Sequence, residues 1–368
     1  MTKFFLMVVV LYTIPHLALF ARLYPVLTAA LRLPVLLAIL GMMATFFTGF
    51  SLRRSGVAVP KIFLDISFFW MAFIFWTFCA GLLMDGWNLL IRLVPLSVRP
   101  PALPVPLQIR MLVGMTIFLF AWSSAQGRRV QVQHLQIPGL TASRAVRIAI
   151  VTDLHLNPVG NHAAASRAIA LLEALKPDMV ISGGDLLDSP PWDIREDLGK
   201  LAAIKPPLGK FAVTGNHEYY SGIQDALLAH EMAGFQVLRE KQVEPVPGLI
   251  LAGVDDLQGF LSRESCLRDE AAALPPATNK TVILIKHRPV VSPTALERAD
   301  LQISGHTHGG QLFPFHGLVR LVFPRISGLH TLSRRLKLYV SNGAGTWGPP
   351  LRLLAPPEVV LLTIPAAP

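Results

Sequence analysis

Hydrophobic positions divide this chain into two halves of different grain. Up to about residue 125 they form long unbroken blocks, whereas from Arg147 onward they come in short runs separated by polar, glycine-bearing clusters. The blocks cover 4–20, 34–50, 62–83 and 111–122. A membrane-spanning helix needs about 20 apolar residues, so the third block is long enough outright, the first two come close and the fourth is short. The pattern predicts a helical transmembrane region of about four spans over residues 1–125. Lys3 gives the first block a charged start, but no small-residue cleavage site follows it and further blocks come at once, so it is read as a retained helix and not a signal peptide. Pro15 sits inside this first block.

The second half alternates two periods. Strand-like runs at 147–152, 179–182, 211–214, 249–254, 281–285, 301–304, 336–340 and 359–364 are interleaved with stretches of helical spacing such as 166–175 and 224–233. This alternation predicts a layered α/β domain over 147–368, with 126–146 as the linker from the membrane region. Ligands of such domains bind beyond the carboxyl ends of the strands. Every polar cluster of interest lies at such an end.

Composition agrees with the division. Hydrophobic residues make up 52% of the chain and charged residues 15%, and the mean hydropathy is +0.50. Residues 1–125 hold nine Lys/Arg against Asp65 and Asp85, so most of the formal charge of +10 lies between hydrophobic blocks. There it acts as topology signal and lipid-headgroup contact, and no nucleic-acid footprint is expected. With four spans, Lys3, Arg53, Arg54, Lys61, Arg128 and Arg129 share one side and five Arg the other. That small excess puts the polar half on the cytoplasmic side, an orientation that inverts if the fourth block does not cross. Asp65 is the ionisable residue inside the third block, and 87–107 is a proline-rich connection. Cys79 and Cys266 form neither a disulfide framework nor a thiolate metal site.

The chemistry lies at the strand ends. Asp153 and His155 follow the first run, Asp185 the second, Asn216 and His217 the third, His287 the fifth, and His306 and His308 the sixth. Singly, each has an ordinary structural role as a cap, a turn residue or a packed histidine. Jointly, carboxylates, imidazoles and one amide oxygen without thiolate form a donor set for two divalent cations of the manganese, iron or zinc type. Two such ions polarise a phosphoryl oxygen and stabilise attacking and leaving oxygens, so phosphoester hydrolysis is the expected reaction.

Asp-x-His at Asp153 and His155, Gly-Asp at Gly184 and Asp185, Gly-Asn-His-Glu from Gly215 to Glu218, the single His287, and Gly-His-Thr-His from Gly305 to His308 stand in a fixed order. In that order they resemble the calcineurin-like metallophosphoesterase superfamily. The run GHTHGGQ and the closing NGAGTWGPPLRLLAPPEVVLLTI resemble its bacterial YkuE- and YaeI-like branch, in which a membrane-anchored member cleaves UDP-2,3-diacylglucosamine. The resemblance implies a four-layer α/β/β/α sandwich. It also implies that Asp153, His155 and His308 hold one metal, that Asn216, His287 and His306 hold the other, and that Asp185 bridges. A metal-bridging hydroxide then attacks phosphorus, and His217 is left to bind the phosphate and protonate the leaving oxygen. Asp188 and Glu218 are expected to orient ligand histidines.

Membrane helices beside such a site favour a lipid-linked or amphiphilic phosphoester, such as UDP-2,3-diacylglucosamine or a phospholipid. The alternatives are a tethered phosphodiesterase of soluble substrates, a non-catalytic metal-binding scaffold, and a transporter with a regulatory domain. The segment 312–337 mixes Phe313, Phe315, Leu318, Leu321 and Val322 with Arg320, Arg325, Arg334 and Arg335. Either it rests among lipid headgroups or its apolar side packs on its own domain.

Overall fold

The structure, a computed structural model, describes residues 2–54, 59–95, 97, 100–101, 103–158, 162–256 and 270–368. Two compact units divide the chain, Met1–Trp122 and Ser123–Pro368.

The first unit is helical. Helices α1 (Thr2–Leu23), α2 (Ala29–Arg54), α3 (Lys61–Arg92) and α4 (Val105–Gly127) follow the apolar blocks. Among the described residues three are long and apolar enough to cross a membrane, within α2, α3 and α4, where the sequence predicted four spans. The remaining one, expected over 4–20, falls partly on side chains outside those described. The block at 111–122, short by hydropathy alone, belongs to a helix of 23 residues because Val105–Arg110 and Ser123–Gly127 continue the same backbone. Asp65 is half-buried in the second turn of α3, and Arg22 pairs with Asp85.

Among its described residues the second unit contains two six-stranded sheets, ordered β1-β12-β2-β3-β4-β5 and β10-β11-β9-β8-β7-β6. The central strands are β2 (Val146–Val151), β3 (Met179–Ser182), β4 (Lys210–Ala212) and β12 (Glu358–Ile364) in the first, and β7 (Leu249–Gly253), β8 (Thr281–Ile285), β9 (Leu301–Ser304) and β11 (Lys337–Val340) in the second. The outermost strands are β1 (Gln131–Gln136), β5 (Gln236–Val237), β6 (Lys241–Val246) and β10 (Gly328–Thr331). The segment expected to be a linker thus carries β1, whose backbone pairs in parallel with β12 from Gln131 to Gln136.

Period-two burial explains the stacking. In β2, Val146, Ile148 and Ile150 enter the core between the sheets, while Ala149 and Val151 face the outer layer. That outer layer contains α5 (His162–Leu175), which buries Ala164, Ala165, Ala168, Ile169 and Leu172 along one stripe, together with α6 (Arg195–Ala203) and α8 (Ile223–Met232). On the far side Ala295 of α9 (Pro293–Arg298) packs with Ile250, Val282 and Leu284. Ser292 starts α9, its Oγ accepting from the Ala295 N–H at 2.9 Å with Pro293 next in line. Helices, two sheets and a helix form the four-layer α/β/β/α sandwich. Because β2, β3 and β4 run parallel in one sheet, and β8 and β9 in the other, the carboxyl ends of each set share one edge.

Candidate metal centre

The loops after β2, β3, β4, β8 and β9 bring every predicted site residue to that edge. Asp153, His155, Asp185, His306 and His308 all have positive φ, between 48° and 69°. L-residues rarely adopt this backbone outside functional sites, where surrounding structure over-determines it. The loops turn so sharply that two carboxylates occupy space a side chain would need. A Cβ at Gly305 would lie 2.1 Å from Asp153 Oδ2, and one at Gly215 would lie 2.2 Å from Asp185 Oδ1.

Atoms able to ligate a metal gather in overlapping groups, each with all its atoms within 4.8 Å of one another: Asp153, His155 and His308; His155, Asp185 and His217; Asp185, His287 and His306. Asp185 joins the groups, its Oδ2 lying 3.1 Å from His287 Nε2 and 3.8 Å from His155 Nε2. His155 Nε2 and His308 Nε2 are 3.1 Å apart, and His306 Nδ1 and His287 Nε2 are 3.3 Å apart. Such pairs of facing imidazole nitrogens form when side chains converge on a shared point.

Tautomers follow from the partners on the opposite side of each ring. His155 Nδ1 lies 2.7 Å from Asp188 Oδ1, and His287 Nδ1 2.9 Å from the Gly183 carbonyl. Both partners only accept, so each Nδ1 carries hydrogen and each Nε2 turns toward the centre. For His308, Arg352 Nη2 donates to Nδ1 at 3.1 Å, so the proton of a neutral ring sits on Nε2, the position a cation would take. Among the described residues, the buried acceptors Asp153 Oδ2 and Asn216 Oδ1 have no hydrogen-bond partner. A buried carboxylate oxygen and a buried amide oxygen left in this state are costly unless a cation satisfies them. The residues fit a pair of divalent cations.

Electrostatics agree. Burial lowers His287, but Asp185 and Asp153 outweigh it and hold the imidazole up to about 10. For His217, burial is again outweighed, by Asp188 and Asp185, and the ring is raised to about 9. His306 and His308 lie well below the usual imidazole value, through burial first and then neighbouring cationic groups. The pocket presents negative charge to His217 and His287 and keeps the His306 and His308 rings neutral.

Asn216 and His217 open α7 (Asn216–Tyr220). The His217 backbone N–H donates to Asp185 Oδ1 at 2.8 Å, while its Nδ1 lies 2.7 Å from Asp188 Oδ1. Asp188 therefore serves two imidazoles. Glu218 does something other than the expected orienting of a histidine. Fully buried, it accepts from the backbone N–H groups of Asp185 at 3.0 Å, Leu186 at 2.7 Å and Gly215 at 2.6 Å, clasping two ligand loops by their main chains.

One contributor was not foreseen. Arg352 has no exposed surface, and it donates from Nη1 to the carbonyls of His308 and Asn342, both at 2.7 Å, and from Nε to that of Gly345 at 3.1 Å. The signal was present in the sequence: Arg352 is the one charge in the stretch 338–357. Its meaning depends on a fold that brings that stretch behind the Gly-His-Thr-His loop.

A two-sheet sandwich with this donor set at its strand ends defines a metallophosphoesterase, and the chain belongs to the calcineurin-like phosphoesterase family, whose profile matches residues 146–310. It is 40% identical over 239 residues to an uncharacterized metallophosphoesterase of Aquifex aeolicus, covering 64% of this chain and 91% of that one. It is 31% identical over 260 residues to a transmembrane protein with metallophosphoesterase domain of Danio rerio, covering 67% of this chain and 59% of that one. The metallophosphoesterase YkuE of Bacillus subtilis is 29% identical over 243 residues, which is 59% of this chain and 78% of that one. These kinships make the chain a metal-dependent phosphoester hydrolase by family, and its apolar helices associate it with a membrane.

Proposed function

We propose that this chain is a membrane-bound dimetal phosphoesterase acting on a lipid-linked or amphiphilic phosphoester, with residues 1–125 as its membrane region and 147–368 as its catalytic domain. Asp153, His155 and His308 would hold one cation, and Asn216, His287 and His306 the other, with Asp185 shared. Manganese, iron and zinc all suit these donors. Divalent cations, when bound there, polarise the phosphoryl group and acidify water. The chain's own part is positional and protonic. Asp188 fixes the His155 ring for ligation, while the same oxygen orients His217 and keeps it protonated. A protonated His217 beside Asp185 is placed to bind a phosphate oxygen and to give its Nε2 proton to the leaving group, an effect worth roughly 10²–10⁴-fold.

The observation that carries this proposal is the pair of buried, unpartnered acceptors, Asp153 Oδ2 and Asn216 Oδ1, in a pocket of converging imidazoles. Helices of membrane length on the same chain support an amphiphilic substrate, and the small Lys/Arg excess on the side of the polar half favours an inner-membrane protein with a cytoplasmic catalytic domain. The test is hydrolysis by detergent-purified full-length protein with Mn²⁺. A soluble aryl phosphodiester, UDP-2,3-diacylglucosamine and phosphatidyl lipids would be compared, with Asp185→Ala and His217→Ala as controls. Metal-dependent turnover of an acylated substrate, lost in both variants, is expected. Cleavage of the soluble ester alone would reduce the helices to a tether, and binding of two metals without any turnover would leave a scaffold.

A further inference from the structure

We propose that α10 (His316–Val322) and the loops flanking it form a ridge that seats in the headgroup layer of an anionic membrane, next to the metal centre. The sequence left open whether this apolar segment packs on its own domain. In the structure the later part does, with Ile326 and Leu336 buried, whereas the helix at its start does not. No residue of α10 is buried, and Leu321 and Val322 are 81% and 71% exposed, with Leu318, Phe313 and Phe315 also exposed nearby. Exposed side chains of this size in one short segment mark an interaction surface, whereas single exposed apolar residues do not.

The charge identifies the occupant. Between Asp300 and Glu358 there is no acidic residue, while Arg320, Arg325, Arg334 and Lys337 fall in that interval beside Arg335, which pairs with Asp300, and the buried Arg352. Arg320 and Arg325 flank the apolar tip and are exposed, as is Arg334 further on. Apolar side chains at the tip with basic residues beside them match the boundary between acyl chains and anionic headgroups. The tether between the membrane-length helices and the domain is short. The membrane-length helix α4 ends at Gly127 and β1 starts at Gln131, so only three residues separate them. The ridge also adjoins the chemistry, since the ring of Phe323, directly after α10, packs edge-on against His306 with centroids 5.1 Å apart. A phosphoester held at headgroup depth would therefore meet the metal centre without leaving the bilayer surface.

The test reads depth and not turnover, so it stands or falls separately from the hydrolytic proposal. Full-length protein carrying Leu321→Cys in a Cys79→Ser, Cys266→Ser background is labelled with a fluorophore and reconstituted into vesicles containing lipids spin-labelled near the headgroup. Phosphatidylcholine vesicles are compared with vesicles holding about 30% phosphatidylglycerol. Glu173→Cys, exposed on α5, serves as the reference site. Quenching at 321 about twofold or more above that at 173 is expected in anionic vesicles, falling on addition of salt and in an Arg320→Glu, Arg325→Glu variant. Equal quenching at the two sites would overturn the proposal, as would equal quenching at 321 in neutral and anionic vesicles. Protection of 321 that grows with protein density, without lipid quenching, would assign the ridge to a second copy of the chain and overturn it as well.

Discussion

His155 and His217 are joined through a single oxygen: each presents Nδ1 2.7 Å from Asp188 Oδ1, with the two rings edge to face and their centroids 4.5 Å apart. A proposed metal ligand and a proposed proton donor therefore share one orienting carboxylate. Burial opposes the ionised form of Asp188, but His155 and His217 hold it far below the usual carboxylate range.

Asp188→Asn keeps the shape and removes the charge. The amide oxygen has two lone pairs and can still accept from both Nδ1 groups, but without the negative charge it no longer holds His217 protonated or strengthens His155 as a ligand. Loss of an orienting partner of this kind costs about 10–100-fold in activity or metal affinity. We expect such a fall in kcat together with weaker metal retention, measured by turnover and by elemental analysis of the purified variant. Unchanged kcat at full metal content would refute the shared-carboxylate role.

Glu218 is expected to matter for stability more than for chemistry. Glu218→Ala leaves the N–H groups of Asp185, Leu186 and Gly215 buried without an acceptor. At about 1–3 kcal/mol for each stranded group, and without full additivity, a loss of roughly 3–5 kcal/mol follows. Thermal inactivation of detergent-purified protein should shift to lower temperature, with Glu218→Gln intermediate because it retains one acceptor oxygen. A midpoint unchanged in Glu218→Ala would show that water satisfies these amides.

Arg352 offers a way to separate metal binding from the reacting groups. Arg352→Met fills much of the same volume but leaves the carbonyls of His308, Asn342 and Gly345 unpaired and removes the donor to His308 Nδ1. The His308 loop then loses its backing. Occupancy of the cation held by Asp153, His155 and His308 is expected to fall at least tenfold in affinity, about 1.4 kcal/mol, while the His287 site is retained. Titration with Mn²⁺ followed by electron paramagnetic resonance would resolve the two sites, and equal weakening of both would count against a local role.

Which of these features the sequence displayed depends on where each element lies in the sheets. The eight strands visible as apolar runs are the central ones, buried on both faces, as in β7, β8 and β9 where every residue is buried. The four that left no such run, β1, β5, β6 and β10, are the four sheet edges. Edge strands face solvent on one side and tolerate polar residues, so QVQHLQ of β1 is recognisable only by its pairing with β12. The candidate ligands stood out for a related reason: each follows a central strand, where the end of an apolar run marks it. Arg352 follows a loop instead, and Glu218 acts through main-chain amides that no side-chain pattern reveals.

Lys210 gives a pH dependence remote from the metal centre. Its buried ammonium donates to the carbonyls of Leu201 at 2.7 Å and Ala233 at 2.5 Å, near the carboxyl ends of α6 and α8. Burial pushes the group down to about 8, with nearby Lys205 adding to the shift. The unfolded chain, with its lysine near the ordinary value, then holds more protons between about pH 8 and 10.4, so stability rises with pH across that window. Hydrogen-exchange protection of α6 and α8, compared at the two ends of the window after correction for intrinsic exchange, should increase with pH. Lys210→Met should be flat, and protection that falls with pH in the parent chain would show that the ammonium is stabilised where it lies.

Metal removal tests the electrostatic logic of the whole pocket. Asp153 and Asp185 are buried and repel one another, and among the described residues Asp153 Oδ2 and Asn216 Oδ1 have no hydrogen-bond partner, so the folded site carries an unmet demand for positive charge. A cation that binds the folded state alone adds stability by mass action, about 2.7 kcal/mol when free metal is one hundred times its dissociation constant. Chelation should therefore lower the inactivation temperature of the parent protein, and Mn²⁺ or Zn²⁺ should restore it. Asp153→Asn removes both the charge repulsion and a donor, so this variant should resist chelation better than the parent and gain less from added metal. If the two proteins responded alike to chelator and to metal, Asp153 would not be a ligand, and its buried oxygen would need another partner.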